Sequence, residues 1–424
     1  MSLRFVAALL ILVIGCAWTM KRPVVGVCLA LFFFVMNPTM YGTGLEEIRF
    51  QFIATLFLVL SWFVHRRELP VLGWGQLAPL WLMGLFVGWN ILASCWAAYS
   101  SWLALDETIG LAKVLLLAFV MSSVVVSEGD LKTVVWTLLI SLGLKGFDGR
   151  WSPLGASASV SFTVGFVGSA FALYFPLLVL NVLGRFRWQQ WAITGIIMLF
   201  MLDYMVFRMQ RSAFVGFAVG AGLLPLLSPK GIRTRAIVLG IAGLIAFAAV
   251  IANDKFWDRM ATITDPESEA SAASRFVIND ASMRMIADHP WGVGFANYQH
   301  VSEPYFPKEM IHSRSGSGPV RAAHNTFLSV IAETGYVGFA LWLAAFGTAG
   351  VLLWRISRQH PHQYFGTVAC ALFIGLVAMV PAMLTHTEEQ SDYIYWVLGL
   401  TCAICGMATK ANVMPLPQNG HLET

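Results

Sequence analysis

Residues 160–183, VSFTVGFVGSAFALYFPLLVLNVL, form an uncharged apolar run that is long enough to cross a lipid bilayer as one helix. A hydrocarbon core of about 30 Å needs roughly 20 such residues in helical form. Similar runs recur along most of the chain. The sequence therefore predicts an all-α polytopic integral membrane protein.

The overall composition excludes two other classes of protein. Of the 424 residues, 58% are hydrophobic and only 12% are charged, and the mean hydropathy is +0.70. Soluble domains contain about 25% charged residues, so a soluble enzyme of this length is excluded. The net charge of +4 is spread over single or paired basic residues, so no basic surface for nucleic acid is expected.

Apolar runs along the chain give thirteen candidate spans. These are residues 3–20, 23–36, 50–64, 77–95, 109–126, 132–144, 160–183, 189–207, 212–227, 235–252, 325–354, 365–384 and 393–409. The runs 23–36 and 132–144 are short enough to be broken or only partly inserted. We therefore expect about twelve transmembrane helices.

Basic residues in the short loops predict the orientation, because such loops stay cytoplasmic. From Arg185 onward they alternate with the spans without conflict and place residues 253–323 outside. Lys21 and Arg22 favour the inside, which puts Met1 outside if all thirteen runs cross. A twelve-span arrangement with Met1 inside requires that one early run does not cross.

Four segments follow from this pattern. Residues 1–252 hold about nine or ten spans, 253–323 form a mostly helical cap on the outer side, 324–410 hold about three spans, and 411–424 are a cytoplasmic tail. The cap carries 7 basic and 9 acidic residues, which is 16 of the 50 charged residues in the chain. Within the cap we expect a helix over 274–288 with Ser274 as its N-cap and an apolar face of Phe276, Met283 and Ile286 or Ala287.

The cysteines indicate helix packing rather than a disulfide framework, because all six lie inside apolar runs. Cys402 and Cys405 have a CxxC spacing that could serve metal or redox chemistry, yet no second Cys/His pair flanks them. No metal site and no cofactor are predicted.

The first candidate for chemistry is His324, which lies where the cap returns to the membrane. A histidine exchanges protons near neutral pH, so it could accept the proton of an attacking sugar hydroxyl. The alternative is a polar residue that only caps a helix start. Asn325 and Asn279 are candidate supporting residues.

Arg208 and Arg211 are the second candidate, at the outer end of a span where basic residues are disfavoured. Arginine binds phosphate oxygens through two parallel hydrogen bonds and keeps its charge. The alternative is snorkelling to lipid headgroups, and phosphate binding is favoured. In the cap, Arg275 and Arg284 could complete a phosphate clamp, or could form salt bridges with neighbouring aspartates.

Three short motifs resemble those of the O-antigen ligase and polymerase superfamily. Arg211-Ser212-Ala213 is similar to its Ser-Arg-Gly type corner, although Gln210 stands where the family usually has Ser. Residues 275–298, ending in HPWGVGFANY, look like its cap signature. HNTFL at 324–328 with ETGYVG at 333–338 resembles its H-N-x-x-L…E-x-G-x-x-G motif.

This resemblance implies a GT-C-like, inverting and metal-independent glycosyltransferase in the bacterial inner (cytoplasmic) membrane, with its active site facing the periplasm. The donor would be O-antigen polysaccharide on undecaprenyl diphosphate, and the acceptor a sugar hydroxyl of lipid A-core, as in lipopolysaccharide biosynthesis. Polymerase and protein O-oligosaccharyltransferase activities of the same superfamily are alternatives. Besides donor and acceptor, membrane lipids are the expected partners.

The resemblance also implies residue roles. His324 would be the base, Arg211 and Arg275 would bind the diphosphate, and Arg208 and Arg284 would assist. Without a divalent ion, arginines must balance the charge of the leaving group.

A secondary transporter is the alternative from another class of protein. Charged residues within spans mark ion paths, and the candidates are Lys113, Lys145, Asp203 and Glu333. No inverted repeat supports this alternative.

Overall fold

We describe the fold from a computed structural model, in which residues 3–37, 48–151, 161–183, 187–208, 211–247, 257–258, 270–307 and 322–413 are described. Regular structure within these ranges is helical throughout. Most of the helices are apolar. The prediction of an all-helical polytopic membrane protein is confirmed.

The helices follow one another along the chain with short connections. They are α1 Leu3–Thr19, α2 Pro23–Met36, α3 Phe50–His65, α4 Ala78–Ala93, α5 Ser101–Val124, α6 Glu128–Trp151, α7 Ser161–Leu183, α8 Trp188–Arg208, α9 Arg211–Leu227, α10 Lys230–Ala246, α11 Ala270–Asp288, α12 Tyr298–Val301, α13 Thr326–Gln359, α14 Tyr364–Met383 and α15 Asp392–Val413. Short 3₁₀ turns at Ser94–Trp96 and Glu303–Tyr305 extend α4 and follow α12.

Five helices of the described ranges are long and apolar enough to cross a membrane. They are Ala78–Trp96, Trp188–Arg208, Thr326–Gln359, Tyr364–Met383 and Asp392–Asn412. Shorter apolar helices accompany them at Val6–Thr19, Pro23–Met36, Phe50–His65, Val167–Leu183 and Arg211–Leu227. The figure of about twelve spans and the GT-C-like arrangement stay predictions.

Helix α6 is longer than the run 132–144 from which it was expected. Ser127 Oγ accepts from Asp130 N at 3.1 Å and Asp130 Oδ2 accepts from Ser127 N at 3.1 Å, which is a capping box. Three glycines at a spacing of three, Gly143, Gly146 and Gly149, then let α8 approach closely. A continuous helix therefore extends past the apolar run and ends at Trp151.

Hydrogen bonds between helix ends define two ends of the bundle. At one end, which we call the far end, Glu128 Oε1 accepts from Tyr364 N at 2.8 Å and Tyr364 Oη donates to Asn181 Oδ1 at 2.8 Å. These bonds join the start of α6, the start of α14 and the last turn of α7. The opposite end, which we call the cap end, therefore holds the end of α6 and the loop 384–391 that follows α14.

Helix α9 begins at the cap end. Its last residue, Leu227, accepts from Cys370 Sγ near the start of α14, whereas Gly216 contacts Ala378 near the end of α14. The two helices are therefore antiparallel. Helix α8 runs parallel to α6, because Ile197 meets Gly143 and Tyr204 meets Gly149. The corner between α8 and α9 thus lies at the cap end.

The cap helix α11 corrects two details of the sequence prediction. It begins at Ala270, so Ser274 lies inside the helix and is not its N-cap. Phe276 and Met283 are 66% and 58% exposed, so the predicted apolar face is wrong in these two positions. Within residues 275–288, the buried side chains are Ile278, Ala281, Ser282, Met285 and Ile286.

The reason for the different face is a satisfied polar group in the middle of it. Ser282 Oγ lies 2.7 Å from Ile278 O and 2.6 Å from Tyr298 Oη. A buried hydroxyl with partners costs little, so the buried face does not follow hydrophobicity alone. Much of the predicted cap, at 259–269 and 308–321, and most of the predicted tail, at 414–424, lie outside the described residues.

Candidate functional site

The turn that follows α11 docks its backbone on a kink in α13. The kink is at Gly335, where φ is 69° and ψ is −178°. Val293 N donates to Ala332 O at 2.9 Å, and Gly294 N donates to Glu333 O at 2.9 Å. Tyr336 N, freed by the kink, donates to Pro290 O at 3.2 Å. Two of the three motifs found in the sequence are therefore in direct contact.

Two glycines make this contact possible. A Cβ atom on Gly335 would lie 2.5 Å from the carbonyl carbon of Trp291, and one on Gly292 would overlap the carbonyl oxygen of Glu333. Both glycines also have positive φ, 69° and 86°, which L side chains rarely adopt. Their presence in the motifs has a structural explanation that needs no substrate.

Further hydrogen bonds bring the α4–α5 connection into the same block. Ala98 N donates to Val293 O at 2.9 Å, and Trp89 Nε1 donates to Thr334 O at 2.7 Å. The buried Glu333 carboxylate accepts from Tyr298 N through Oε1 at 3.3 Å. The part of the cap at residues 290–298 is thereby held against α13.

His324 stands immediately before α13, and its backbone is left-handed with φ 48°. Its side chain is half-buried. The helix is capped by the next residue, since Asn325 Oδ1 accepts from Phe327 N at 3.1 Å and from Leu328 N at 3.3 Å. Asn325 therefore caps α13, and helix capping does not explain the presence of His324 at this position.

The loop 384–391 lies against the first turn of α13 and brings a second histidine to His324. Thr326 Oγ1 donates to His386 O at 2.7 Å and accepts from Glu388 N at 3.0 Å. The ring centroids of His324 and His386 are 6.3 Å apart. Sequence reasoning missed His386.

Two buried glutamates fix this loop. Glu389 Oε1 accepts from Ser329 Oγ at 2.7 Å, and Glu388 Oε2 accepts from Tyr393 Oη at 2.7 Å. Burial raises the pKa of the Glu389 carboxyl, which lies outside the spans. Among the described residues, Glu388 Oε1 and Glu389 Oε2 are buried without a hydrogen-bond partner.

Arginines gather at the corner between α8 and α9. Arg208 ends α8 and Arg211 begins α9, and residues 209–210 lie outside the described residues. The Cζ atom of Arg208 is 5.6 Å from the Phe207 ring centroid. Arg211 is the first residue of α9, where the backbone N–H groups of a helix N-terminus favour the binding of anions.

Arg150 joins this corner from α6 and was not predicted. Its Cζ atom is 4.4 Å from the same Phe207 ring, and its Nε is 3.2 Å from Asp203 Oδ2. A signal was present in the sequence, because Arg150 ends a span at the outer side, as Arg208 does. The corner therefore contains three arginines, Arg150, Arg208 and Arg211.

The two cap arginines differ in how the structure engages them. Arg284 Nη2 lies 3.0 Å from Asp280 Oδ2 and donates to Tyr305 O at 2.9 Å, which is the salt bridge considered as an alternative. Arg275 is half-buried near the start of α11, and Asn279 is half-buried one turn later. Their roles stay predictions.

Three of the four residues that favoured a transporter have structural partners, and the fourth, Lys113, is exposed. Asp203 pairs with Arg150, Glu333 accepts from the cap backbone, and Lys145 Nζ donates to Met36 O at 3.3 Å. Within the described ranges, no group of three or more His, Cys, Asp or Glu side chains could hold a metal ion. The arrangement at the cap end can supply a proton acceptor at His324 and positive charge at the α8–α9 corner.

One family model matches the chain, and it covers the part that carries these residues. The model, described as O-antigen ligase, matches residues 196–343. This range runs from α8 into α13 and contains His324 and the four arginines predicted from the sequence. A comparison with curated proteins gives no significant match. This match supports membership of the O-antigen ligase/polymerase superfamily.

Proposed function

We propose that the chain is an inverting, metal-independent glycosyltransferase of the periplasmic face of the bacterial inner membrane. It transfers O-antigen polysaccharide from undecaprenyl diphosphate to a sugar hydroxyl of lipid A-core. The observation that carries this proposal is that the cap end of the bundle holds both His324 and the arginines of the α8–α9 corner. Asn325 caps α13, so a capping role does not explain His324.

The reaction is a single displacement at the anomeric carbon. The oxygen of the acceptor hydroxyl forms a bond to that carbon and gives its proton to His324. The bond from the anomeric carbon to the diphosphate oxygen breaks, and the diphosphate leaves with the electron pair. Attack from the side opposite the leaving group inverts the anomeric configuration.

His324 suits the role of base because an imidazole accepts a proton near neutral pH. Its position is fixed by the capped start of α13 and by the block formed with the cap. A rigid element keeps the base in the position that proton transfer requires.

The arginines balance the charge that develops on the leaving diphosphate. We assign Arg211 and Arg275 to the diphosphate, with Arg208 and Arg284 as assisting residues. Arg150 is added to the assisting residues, because it shares the Phe207 ring with Arg208. Asp203 beside Arg150 keeps that guanidinium oriented.

The proposal is tested with the purified full-length chain in liposomes that contain the lipid-linked donor and lipid A-core. We expect transfer of the polymer to the core without any ion gradient and without added metal. A requirement for a gradient, or movement of donor without a new glycosidic bond, would support a transporter instead. Longer lipid-linked glycan as the product would indicate a polymerase, and glycan on protein would indicate a protein-directed transferase.

A further inference from the structure

We propose that His386 binds the acceptor sugar: its Nε2 accepts a hydrogen bond from a hydroxyl that neighbours the hydroxyl deprotonated by His324. The inference rests on the proposed function and adds a binding residue from a different part of the chain. The class of acceptor that it selects is a sugar with two adjacent free hydroxyl groups.

The tautomer of His386 follows from its hydrogen bond to the backbone. Nδ1 lies 3.1 Å from the carbonyl oxygen of Thr385. A carbonyl oxygen only accepts, so Nδ1 carries the hydrogen. In the neutral ring, Nε2 then has a lone pair and acts as the acceptor. Within the described residues Nε2 has no hydrogen-bond partner, and the side chain is half-buried.

The distance between the two histidines fits one sugar ring. Their ring centroids are 6.3 Å apart and the rings are tilted by 55°. At this separation the imidazoles do not form a hydrogen bond with each other, since such a bond needs about 3 Å between heavy atoms. Neighbouring hydroxyl groups of one sugar can reach one ring each.

The loop that carries His386 is held firmly enough to define a binding position. Thr326 makes two hydrogen bonds to the loop backbone, and Ser329 donates to Glu389. Both partners belong to the first turn of α13, directly after His324 and Asn325. The loop and the proposed base are thus parts of one rigid unit, as a binding site requires.

The charges around the loop favour a neutral hydroxyl over a phosphate. The loop that carries His386 also carries the buried carboxyls of Glu388 and Glu389, which do not attract an anion. The positive groups are at the α8–α9 corner, on Arg208 and Arg211. An unprotonated Nε2 likewise prefers an O–H donor. The His386 side therefore suits the acceptor, and the arginine side suits the donor diphosphate.

The test compares natural acceptor with monodeoxy acceptors that lack one hydroxyl next to the attacked one. For the wild-type chain, one deoxy acceptor should lower kcat/KM about tenfold, the effect of one hydrogen bond. His386→Ala should raise the KM for the natural acceptor about tenfold and leave the donor KM unchanged. It should also lose the discrimination between natural and deoxy acceptor. His386→Asn, whose amide oxygen accepts, should recover part of the affinity.

His362→Ala is the matched control, because His362 is exposed in the loop before α14 at the far end, and it should change neither constant. The inference is overturned if wild type does not discriminate against any deoxy acceptor, a result that needs no variant. It is also overturned if His386→Ala keeps the wild-type acceptor KM. A wild-type chain that transfers no glycan refutes the proposed function together with this inference, whereas an active chain with these results refutes the inference alone.

Discussion

The docked turn at residues 289–298 and the corner between α8 and α9 both carry family motifs, but the motifs serve different purposes. The turn contacts α13 through backbone atoms, with Gly292 and Gly335 where a Cβ would collide. The corner contains the half-buried side chains of Arg208 and Arg211. The first motif therefore has a structural role, and the second carries the arginines that we propose for the chemistry.

The largest effect is expected from the docked turn, with Gly335→Ala. The new Cβ would meet the Trp291 backbone, and φ 69° with ψ −178° is accessible to glycine almost alone. We expect the free energy of unfolding to fall by about 2–4 kcal/mol, with loss of transfer. Thermal unfolding in detergent measures the first effect.

Gly347→Ala is the matched control, because Gly347 lies in the same helix with nothing within 4 Å of its added Cβ. It should leave stability and transfer near the wild-type values. Equal stability of the two alanine variants would mean that the docked turn does not need the glycine.

The next largest effect is expected from the α8–α9 corner, where loss of an arginine should reduce transfer more than loss of Arg284 in the cap. Arg211→Ala should lower kcat/KM for transfer about a hundredfold with little change in stability, as for a lost group that stabilises developing charge. Arg211→Lys should recover only part, because lysine lacks the planar fork. Arg284→Ala should cost less than about tenfold, since Asp280 and Tyr305 already engage that guanidinium.

Transfer kinetics of the purified variants at saturating acceptor would measure these changes in kcat/KM. Full activity of Arg211→Lys would point to a point charge or a headgroup contact. If Arg284→Ala lowers kcat/KM as much as Arg211→Ala does, the diphosphate binds closer to the cap than we propose.

How much the sequence could predict differs between these regions. The apolar runs and the motif order predicted the helices, the superfamily and the position of His324 before a span, because these depend on local composition and spacing. The contact of Pro290 with Tyr336 could not be predicted, since it joins segments that are distant in the chain. His386 was missed for the same reason: it lies 62 positions after His324 and meets it only through the fold.

The buried face of α11 shows a second limit. Phe276 and Met283 were expected inside and are exposed, while Ser282 is buried with Tyr298 as its partner. Hydrophobicity alone does not identify a buried serine whose hydroxyl is satisfied by a distant residue. Arg150 was missed because it lies beyond the apolar run 132–144, and only the fold brings it to the Phe207 ring beside Arg208.

The smallest effect concerns the loop beside His324 and its dependence on pH. Burial raises the pKa of Glu389, so the folded chain keeps this proton at pH values where the unfolded chain has lost it. Folding stability then falls as pH rises from the ordinary value of 4.5 through the raised pKa, and this contribution is constant above it. Glu389→Gln, whose amide resembles the protonated acid, should remove this part of the pH dependence.

Above the raised pKa the variant should be more stable than wild type and have a higher Tm, and it should match wild type at low pH. Glu303→Gln is the control, because Glu303 is exposed at the surface of the cap. Parallel Tm profiles for wild type and Glu389→Gln would contradict the account.

The role of His324 as general base is tested by measuring glycan transfer from the lipid-linked donor to lipid A-core by the His324→Ala variant. Asn325 continues to cap α13, so the variant should fold, insert and bind donor as wild type does. We expect a loss of at least about a hundredfold in kcat, which is the contribution of a general base. Transfer at a rate near that of wild type would contradict it.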